Sequence, residues 1–179
     1  GYSVVPKKLE LEMQSCKEHK EETGNCLICD MMNDEVKDGR RVIFENEDFI
    51  TFLPFYSEYP YGVYIGAKRH IQNLTQMTDR EKTNLAKILK ETAGTLDSLF
   101  DYAFPYMMCM YQNPVNGEDV SEYYHLHIAF YPPMRSADKI KYNASSETGA
   151  WAHCNPTAPE EKAKELRAAH EKFLKKIGR

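Results

Sequence analysis

The sequence predicts an α+β fold in which an antiparallel sheet packs against one long helix, with a further helix near each end of the chain. Three β-rich segments precede a long amphipathic segment, and two more follow it. Strands grouped around one helix, rather than alternating singly with helices, favour an antiparallel sheet over a wound parallel sheet.

The first half of the chain carries signals for one helix and three strands. Residues 7–23 are rich in charge and contain no Gly or Pro, and Gly24 follows, as expected for a surface helix with a glycine stop. From residue 41 to 52 the β-branched and aromatic content rises around a turn at 46–48, and residues 61–68 indicate another strand. These strands are predicted to form a meander.

A long amphipathic helix is the clearest element in the middle of the chain. Thr78 and Glu81 have the spacing of a capping box, and the apolar residues that follow recur with helical periodicity, which predicts a helix over residues 79–101. Residues 105–112 and 122–131 then indicate two further strands.

The last part of the chain is predicted to be an irregular loop followed by a helix. Thr157 and Glu160 have the spacing of a second capping box, and Pro159 stands in the first turn of a helix that runs to about Lys176.

Composition bounds the classes of protein to which the chain can belong. With 179 residues, 42% hydrophobic content and no linker-like run, residues 1–179 are predicted to form a single domain. The net charge of −4 argues against a broad nucleic-acid or membrane surface. The apolar runs are too short to span a bilayer and the N-terminus does not resemble a signal peptide, so a cytoplasmic location is the default expectation.

A pair of histidines on the last predicted strand indicates a functional site. His125 and His127 are two residues apart, so a strand presents both on the same face and both are expected to point at one site. The strand ends at Pro132 and Pro133, and basic residues follow in the loop, namely Arg135, Lys139 and Lys141. Histidines beside a basic loop suggest phosphate chemistry.

The Cys26-x-x-Cys29 pair indicates a metal site. The chain has five cysteines, and in a reducing compartment such a pair favours metal or redox use over a disulfide framework. Two thiolates at this spacing can bind one tetrahedral ion, and a ligand set of thiolates and imidazoles favours zinc. The alternatives are that both cysteines are simply small buried residues, or that they form a redox motif, which the lack of a βαβ pattern disfavours.

An ordered set of motifs near the C-terminus carries a family resemblance. It comprises HLHIAFYPP at 125–133, RSA at 135–137, the Lys141-Tyr142 pair and SETGA at 146–150. This set resembles the C-terminal half of galactose-1-phosphate uridylyltransferases, a two-lobed branch of the histidine-triad superfamily. The similarity runs through nearly the whole chain, from the Pro6 region to Glu161.

The resemblance implies a fold, a metal and a reaction. It implies a histidine-triad-like antiparallel sheet packed against a long helix, with flanking N- and C-terminal helices. It also implies one structural zinc ion held by Cys26, Cys29, His70 and His125. The reaction is the exchange of UMP between UDP-glucose and galactose 1-phosphate through a nucleotidyl-histidine, whose nucleophile belongs to the absent N-terminal lobe. If residues 1–3 continue the family pattern, the chain is expected to be part of a longer enzyme and inactive alone. The resemblance also implies that the full-length enzyme is a homodimer.

The resemblance also implies substrate contacts in the loop after Pro133. In the family, a lysine and an aromatic residue of this loop, with the segment that follows, reach the hexose phosphate across the dimer interface. Carried over, the substrate-binding residues are Lys141, Tyr142, Ser146, Glu147 and Asn155. The alternative is a solvated basic loop without a ligand.

Three positions bear on whether this lobe has chemistry of its own. Ala129 stands where a histidine-triad hydrolase carries its third histidine, so His127 is expected to be a buried sheet residue rather than a nucleophile, and no catalytic residue is assigned. Tyr111 stands where some relatives have a histidine of a second metal site, which places that site in doubt. Two other functions stay open, an adenylyl-transferring relative that acts on ADP-glucose and a non-catalytic zinc-stabilised binding module.

Overall fold

The computed structural model describes residues 3–179 and confirms the α+β fold. Its main sheet has five antiparallel strands in the order β1-β2-β3-β5-β4, and β6 and β7 form a separate two-stranded ribbon. The α-helices and strands are α1 Lys7–Thr23, α2 Leu27–Asp38, β1 Val42–Glu45, β2 Phe49–Phe52, β3 Tyr64–Ala67, α3 Asp79–Phe100, β4 Met107–Tyr111, β5 His127–Tyr131, β6 Met134–Ser136, β7 Lys139–Ile140, α4 Ser145–Ala150 and α5 Pro159–Lys176. A short 3₁₀ helix, Leu74–Gln76, precedes α3. The expectation about residues 1–3 depends on residues 1 and 2, which lie outside the described residues.

The sheet separates two hydrophobic layers. The larger layer packs α3 and α5 against one face, for example through Ile88 and Leu166, and the second packs α1 and α2 against the other face through Cys16 and Met32. Neighbouring residues of β2 contribute to opposite layers, since strand side chains alternate between faces. The sheet is therefore covered on both sides, and its ends and edges are left for function.

Short-range sequence signals correctly predicted where several elements begin or end. Helix α1 ends at Gly24, which adopts a left-handed φ of 79°. Asn46 forms the predicted hairpin turn by accepting hydrogen bonds from the backbone N–H groups of Asp48 and Phe49. The capping box of α3 is present, because Thr78 accepts from the N–H of Glu81 and the Glu81 carboxylate accepts from the N–H of Thr78.

Helix α2 was not anticipated from the sequence. It has no side-chain hydrogen bond at its N-cap, Cys26, so the usual start signal is missing. Its end carries a signal that could have identified it, because Gly39 is left-handed at φ 72° and its N–H bonds to the carbonyl of Glu35. The helix places Cys26 and Cys29 one turn apart.

Two other sequence-based predictions are corrected. The capping box predicted at Thr157 is wrong, because the N-cap of α5 is Ala158 and Thr157 instead donates to the side-chain oxygen of Asn155. The strand predicted over 122–131 begins only at His127, since a turn on the carbonyl of Val120 occupies the preceding residues. The loop before α5 also contains β6, β7 and the short helix α4. Across residues 3–179, none of the helices combines the length and the apolar character needed to cross a bilayer.

Candidate metal centre and basic loop

Four side chains with soft ligand atoms meet at one end of the sheet. Cys26 and Cys29 come from the first turn of α2, His70 follows β3, and His125 precedes β5. Strands β3 and β5 are antiparallel neighbours with Gly66 opposite His127, so the residues just after β3 lie beside those just before β5. The four ligand atoms lie within 4.8 Å of one another.

The geometry of this Cys/His cluster suits a metal ion. The sulfur of Cys29 is 3.4 Å from Nδ1 of His70 and 3.2 Å from Nδ1 of His125. The carbonyl oxygen of Ser121 accepts a 2.9 Å hydrogen bond from Nε2–H of His70, which leaves Nδ1 of that ring with a free lone pair. Histidines that bind metals commonly donate their other ring N–H to such a carbonyl.

The electrostatics of the cluster favour a thiolate. A hydrogen bond from Cys29 holds the pKa of the Cys26 thiol well below its usual range, and His125 lowers the pKa further. A thiolate beside two imidazoles is a donor set that binds a soft or borderline cation. The four residues predicted from the sequence can therefore hold one metal ion together.

His127 occupies different surroundings, and the expectation that both imidazoles point at one site is wrong. Its ring stacks between Tyr64 and Tyr111, with centroids 5.9 and 4.6 Å away. Burial lowers the pKa of its imidazole, and Nδ1 lies 3.0 Å from the carbonyl oxygen of His125. Nε2 lies 3.5 Å from the carboxylate of Glu12, and His127 lines a cavity of about 570 Å³ between α1 and α2. His125 belongs instead to the Cys/His cluster.

Tyr111 also has a defined place. Its hydroxyl is 2.6 Å from the hydroxyl of Tyr131, and its ring covers His127. Tyr111 thus packs on His127 and pairs its hydroxyl with that of Tyr131 on the neighbouring strand.

The basic loop, defined here as residues 134–155, is organised around one buried ion pair. The ammonium of Lys141 lies 2.7 Å from the carboxylate of Glu147, and both side chains are buried. This hydrogen bond is the main reason that the pKa of Glu147 falls to about 2, and the N–H of Ala144 lowers it further. Arg135 and Lys139, the other cations of the loop, are exposed.

The remaining predicted substrate residues have different surroundings. Ser146 donates to the Glu147 carboxylate, so Lys141, Ser146 and Glu147 form one group. Tyr142 is 77% exposed. Asn155 is held by the chain itself, because its amide donates to the carbonyl of Ser57 and its oxygen accepts from Thr157. The sequence did not indicate Ser57, which binds the loop through a backbone atom.

The five-stranded sheet, its helical layers and the Cys/His cluster define a protein of the histidine-triad fold. A zinc-bound histidine-triad protein from Mycobacterium smegmatis superposes with a TM-score of 0.57 over 84% of this chain and 96% of that chain, at 18% identity, which supports the fold alone. The chain belongs to the galactose-1-phosphate uridyl transferase family, because the model of that family's C-terminal domain matches residues 12–173. The resemblance inferred from the sequence is confirmed.

Individual relatives agree with this assignment. A galactose-1-phosphate uridylyltransferase of Thermotoga maritima is 42% identical over 167 residues, which are 93% of this chain and 52% of the relative. A solved uridylyltransferase structure superposes with a TM-score of 0.88 at 36% identity over 96% of this chain and 54% of that one. An ADP-glucose phosphorylase from Arabidopsis thaliana gives 0.77 at 25% identity over 92% and 49%. The chain thus spans about half the length of these three proteins.

Proposed function

We propose that this chain is the C-terminal lobe of an enzyme that exchanges UMP between UDP-glucose and galactose 1-phosphate. The observation that carries the proposal is the 42% identity to the Thermotoga maritima galactose-1-phosphate uridylyltransferase across 93% of the chain. Because the chain spans about half of that relative, the activity belongs to a longer protein in which a second lobe provides the nucleophile.

The proposed reaction has two displacements at phosphorus. A histidine of the other lobe attacks the α-phosphorus of UDP-glucose, forms a uridylyl-histidine and releases glucose 1-phosphate. A phosphate oxygen of galactose 1-phosphate then attacks the same phosphorus, which breaks the bond to histidine and releases UDP-galactose. A neutral imidazole is both a good nucleophile and a good leaving group here, so one difficult step becomes two easier ones.

In this proposal the basic loop binds the sugar phosphate. The Lys141 ammonium supplies positive charge for the phosphate, and Glu147 supplies an acceptor for sugar hydroxyls, with Tyr142, Ser146 and Asn155 completing the binding set. The buried pair of Lys141 and Glu147 supports this role, because it places a cation and a hydrogen-bond acceptor side by side. The ligand carries a phosphate for the cation and hydroxyls for the acceptor.

We also propose that the Cys/His cluster holds a structural zinc ion. Two thiolates and two imidazoles form a closed set of four protein ligands, which is typical of zinc sites that stabilise a fold rather than catalyse a reaction. Bound zinc would neutralise the thiolates and tie α2 to the ends of β3 and β5.

Assembly and location complete the proposal. The full enzyme is a homodimer in which this loop reaches the partner subunit's site, and it resides in the cytoplasm. The exposed edge strand β4 supports an assembly, and a cluster that needs reduced thiols supports a reducing compartment. The proposal includes no nucleic-acid or membrane partner.

The test uses UDP-glucose labelled in its uridylyl group, offered to the enzyme that contains this lobe and to the 179-residue chain alone. The longer enzyme should become labelled and pass the label to galactose 1-phosphate, whereas the chain alone should stay unlabelled. A label mapped to His127 of the isolated chain would contradict the assignment.

An adenylyl-transferring enzyme is the second candidate, favoured by the TM-score of 0.77 to an ADP-glucose phosphorylase. Preference for labelled ADP-glucose over UDP-glucose would support it. Binding of neither nucleotide sugar would favour a zinc-stabilised binding module without catalysis.

A further inference from the structure

Three consecutive residues that follow β2 contact the basic loop. Ser57, Glu58 and Tyr59, called here the 57–59 segment, each meet a different part of the loop. The segment and the loop are far apart in sequence, so these contacts fix the position of the loop on the body of the protein.

Tyr59 supports Lys141. Its ring lies beneath the lysine ammonium, which is 5.4 Å from the ring centroid. The ring is buried and packs edge-on against Tyr131 at 5.8 Å, so it offers a fixed surface. An aromatic face attracts a cation without adding an opposite charge.

Ser57 and Glu58 hold the far end of the loop. The carbonyl of Ser57 accepts a 2.8 Å hydrogen bond from the Asn155 amide. The carboxylate of Glu58 lies 3.8 Å from Nε2 of His153, and it also faces Lys8 of α1 at 3.4 Å. The loop is thus held in its first half through Lys141 and at its end through the Asn155 hydrogen bond, with the longer Glu58–His153 contact beside it.

The 57–59 segment is itself held rigidly. The hydroxyl of Ser57 donates to the Tyr59 carbonyl at 2.8 Å, and the N–H of Gly62 donates to the same carbonyl at 3.0 Å. A Cβ on Gly62 would lie 2.7 Å from the Ser57 hydroxyl oxygen, so a larger residue would displace the hydroxyl that closes the turn.

We propose that the 57–59 segment positions the basic loop for sugar-phosphate binding, with Tyr59 acting through Lys141. Lysine carries its charge on a flexible stem, and a side chain fixed before the ligand arrives loses less conformational entropy on binding. This inference rests on the proposed function for its enzymatic consequence, whereas the tethering of the loop does not depend on it.

The first arm of the test needs no substrate. The sole tryptophan of the chain, Trp151, lies in the basic loop and is 70% exposed, so its time-resolved fluorescence anisotropy reports loop motion. Tyr59→Leu and Glu58→Gln should increase the amplitude of fast Trp151 motion in the 179-residue chain. Tyr59→Phe, which keeps the ring, and Lys8→Gln, which removes the other partner of Glu58, should match the parent.

The second arm uses the longer enzyme. Tyr59→Leu should raise KM for galactose 1-phosphate by about two- to thirtyfold, the range expected for a lost cation–π contact, and Tyr59→Phe should restore it. At saturating UDP-glucose the Tyr59→Leu enzyme should still become fully labelled, which a general loss of folding would not allow.

The outcomes separate the two claims. Parent-like Trp151 motion in folded Tyr59→Leu and Glu58→Gln would overturn the tethering, and a parent-like KM in Tyr59→Leu would overturn the positioning role in sugar-phosphate binding. If Tyr59→Leu fails to fold, Glu58→Gln decides alone. A parent enzyme that does not use galactose 1-phosphate would contradict the proposed function, while increased Trp151 motion in the variants would still support the tether.

Discussion

Among single residues, we expect replacement of a Cys/His cluster ligand to lower the free energy of unfolding most. Its ligands come from three places in the chain, so one ion would join α2 to the ends of β3 and β5. Hydrogen bonds from Cys29 and His125 already stabilise the Cys26 thiolate, and a bound cation would stabilise it further.

We expect Cys29→Ser to lose bound zinc and to lower the free energy of unfolding by more than about 4 kcal/mol, because loss of a structural metal is among the largest single effects. Metal analysis and thermal unfolding of protein prepared without chelators would measure both. Cys109→Ser is the matched control, since Cys109 is exposed on β4 and should keep zinc and melting temperature unchanged. Parent protein without zinc would contradict this prediction.

Lys141 is the second residue whose replacement is informative. In the longer enzyme, Lys141→Met should raise KM for galactose 1-phosphate by roughly ten- to a hundredfold, the equivalent of a lost charge-assisted hydrogen bond. Lys139→Met is the control, because Lys139 belongs to the same loop but is exposed. Steady-state kinetics at limiting sugar phosphate would measure the effect, and equal KM values for the two variants would argue against the contact.

At the scale of secondary-structure elements, the start of α3 combines a capping box with an ion pair. Glu81 binds the N–H of Thr78 and also the guanidinium of Arg69. Its hydrogen bond with Arg69 is the largest cause that lowers the pKa of Glu81 from 4.5 to about 2.

This lowered pKa has a predictable effect on stability. A carboxylate whose pKa is lower in the folded state contributes fully above its unfolded value and loses its contribution as the pH falls through about 2. We expect Glu81→Gln to cost about 0.5–2 kcal/mol at pH 7, with the difference from the parent shrinking between about pH 4 and 2. Glu161→Gln, in the exposed first turn of α5, is the control for urea unfolding at each pH. A difference that is independent of pH would refute this assignment.

The packing of α3 on α5 depends on a glycine. A Cβ on Gly94 would lie 2.2 Å from the ring of Phe173, so the two helices approach closely at this point. Gly94→Ala should destabilise by about 1–3 kcal/mol from overpacking, despite a gain of about 1 kcal/mol in helix propensity. Gly149→Ala in α4, where a Cβ would meet nothing within 4 Å, should not destabilise. Combining Gly94→Ala with Phe173→Leu should recover part of the loss in a double-mutant cycle, and purely additive effects would argue against the clash.

Prediction of the elements from the sequence succeeded where short-range signals decide the structure. The capping residues of α3 and the glycine after α1 act within one turn, so both helices were located. Helix α2 was missed because its N-cap carries no capping bond, and the turn before β5 was missed because it depends on a backbone bond to Val120. The second capping box failed because Asn155 captures the Thr157 hydroxyl.

At the scale of the whole molecule, the strand order determines which distant residues meet. The pairing of β3 with β5 brings His70 beside His125, and no spacing rule alone would have identified that pair. Their joint role was inferred from the family resemblance. The partners of Lys141 depend equally on the folded chain, since Tyr59 reaches it only through the loop that follows β2. Sequence therefore supplied candidate residues for the site but not the contacts that hold them.

The outer edge of β4 is the other feature of the whole molecule. Strand β4 pairs with β5 on one side, and no strand of the described residues covers its other side. Met107, Met108 and Met110 are 55%, 41% and 37% exposed, and the strand carries none of the charges that usually protect such an edge. An uncharged, apolar edge strand favours pairing with another chain or lobe.

We therefore expect the edge of β4 to contribute to the assembly of the enzyme. Met108→Lys should weaken association, because a lysine on an edge strand opposes pairing and leaves a buried charge in any interface that covers it. Light scattering during size-exclusion chromatography should show that the Met108→Lys enzyme dissociates into smaller species at a higher concentration than the parent does in a dilution series. Val36→Lys is the matched control, since Val36 is 54% exposed on α2, close to β1 and away from β4. An unchanged mass for the Met108→Lys protein at every concentration would mean that the edge takes no part in assembly.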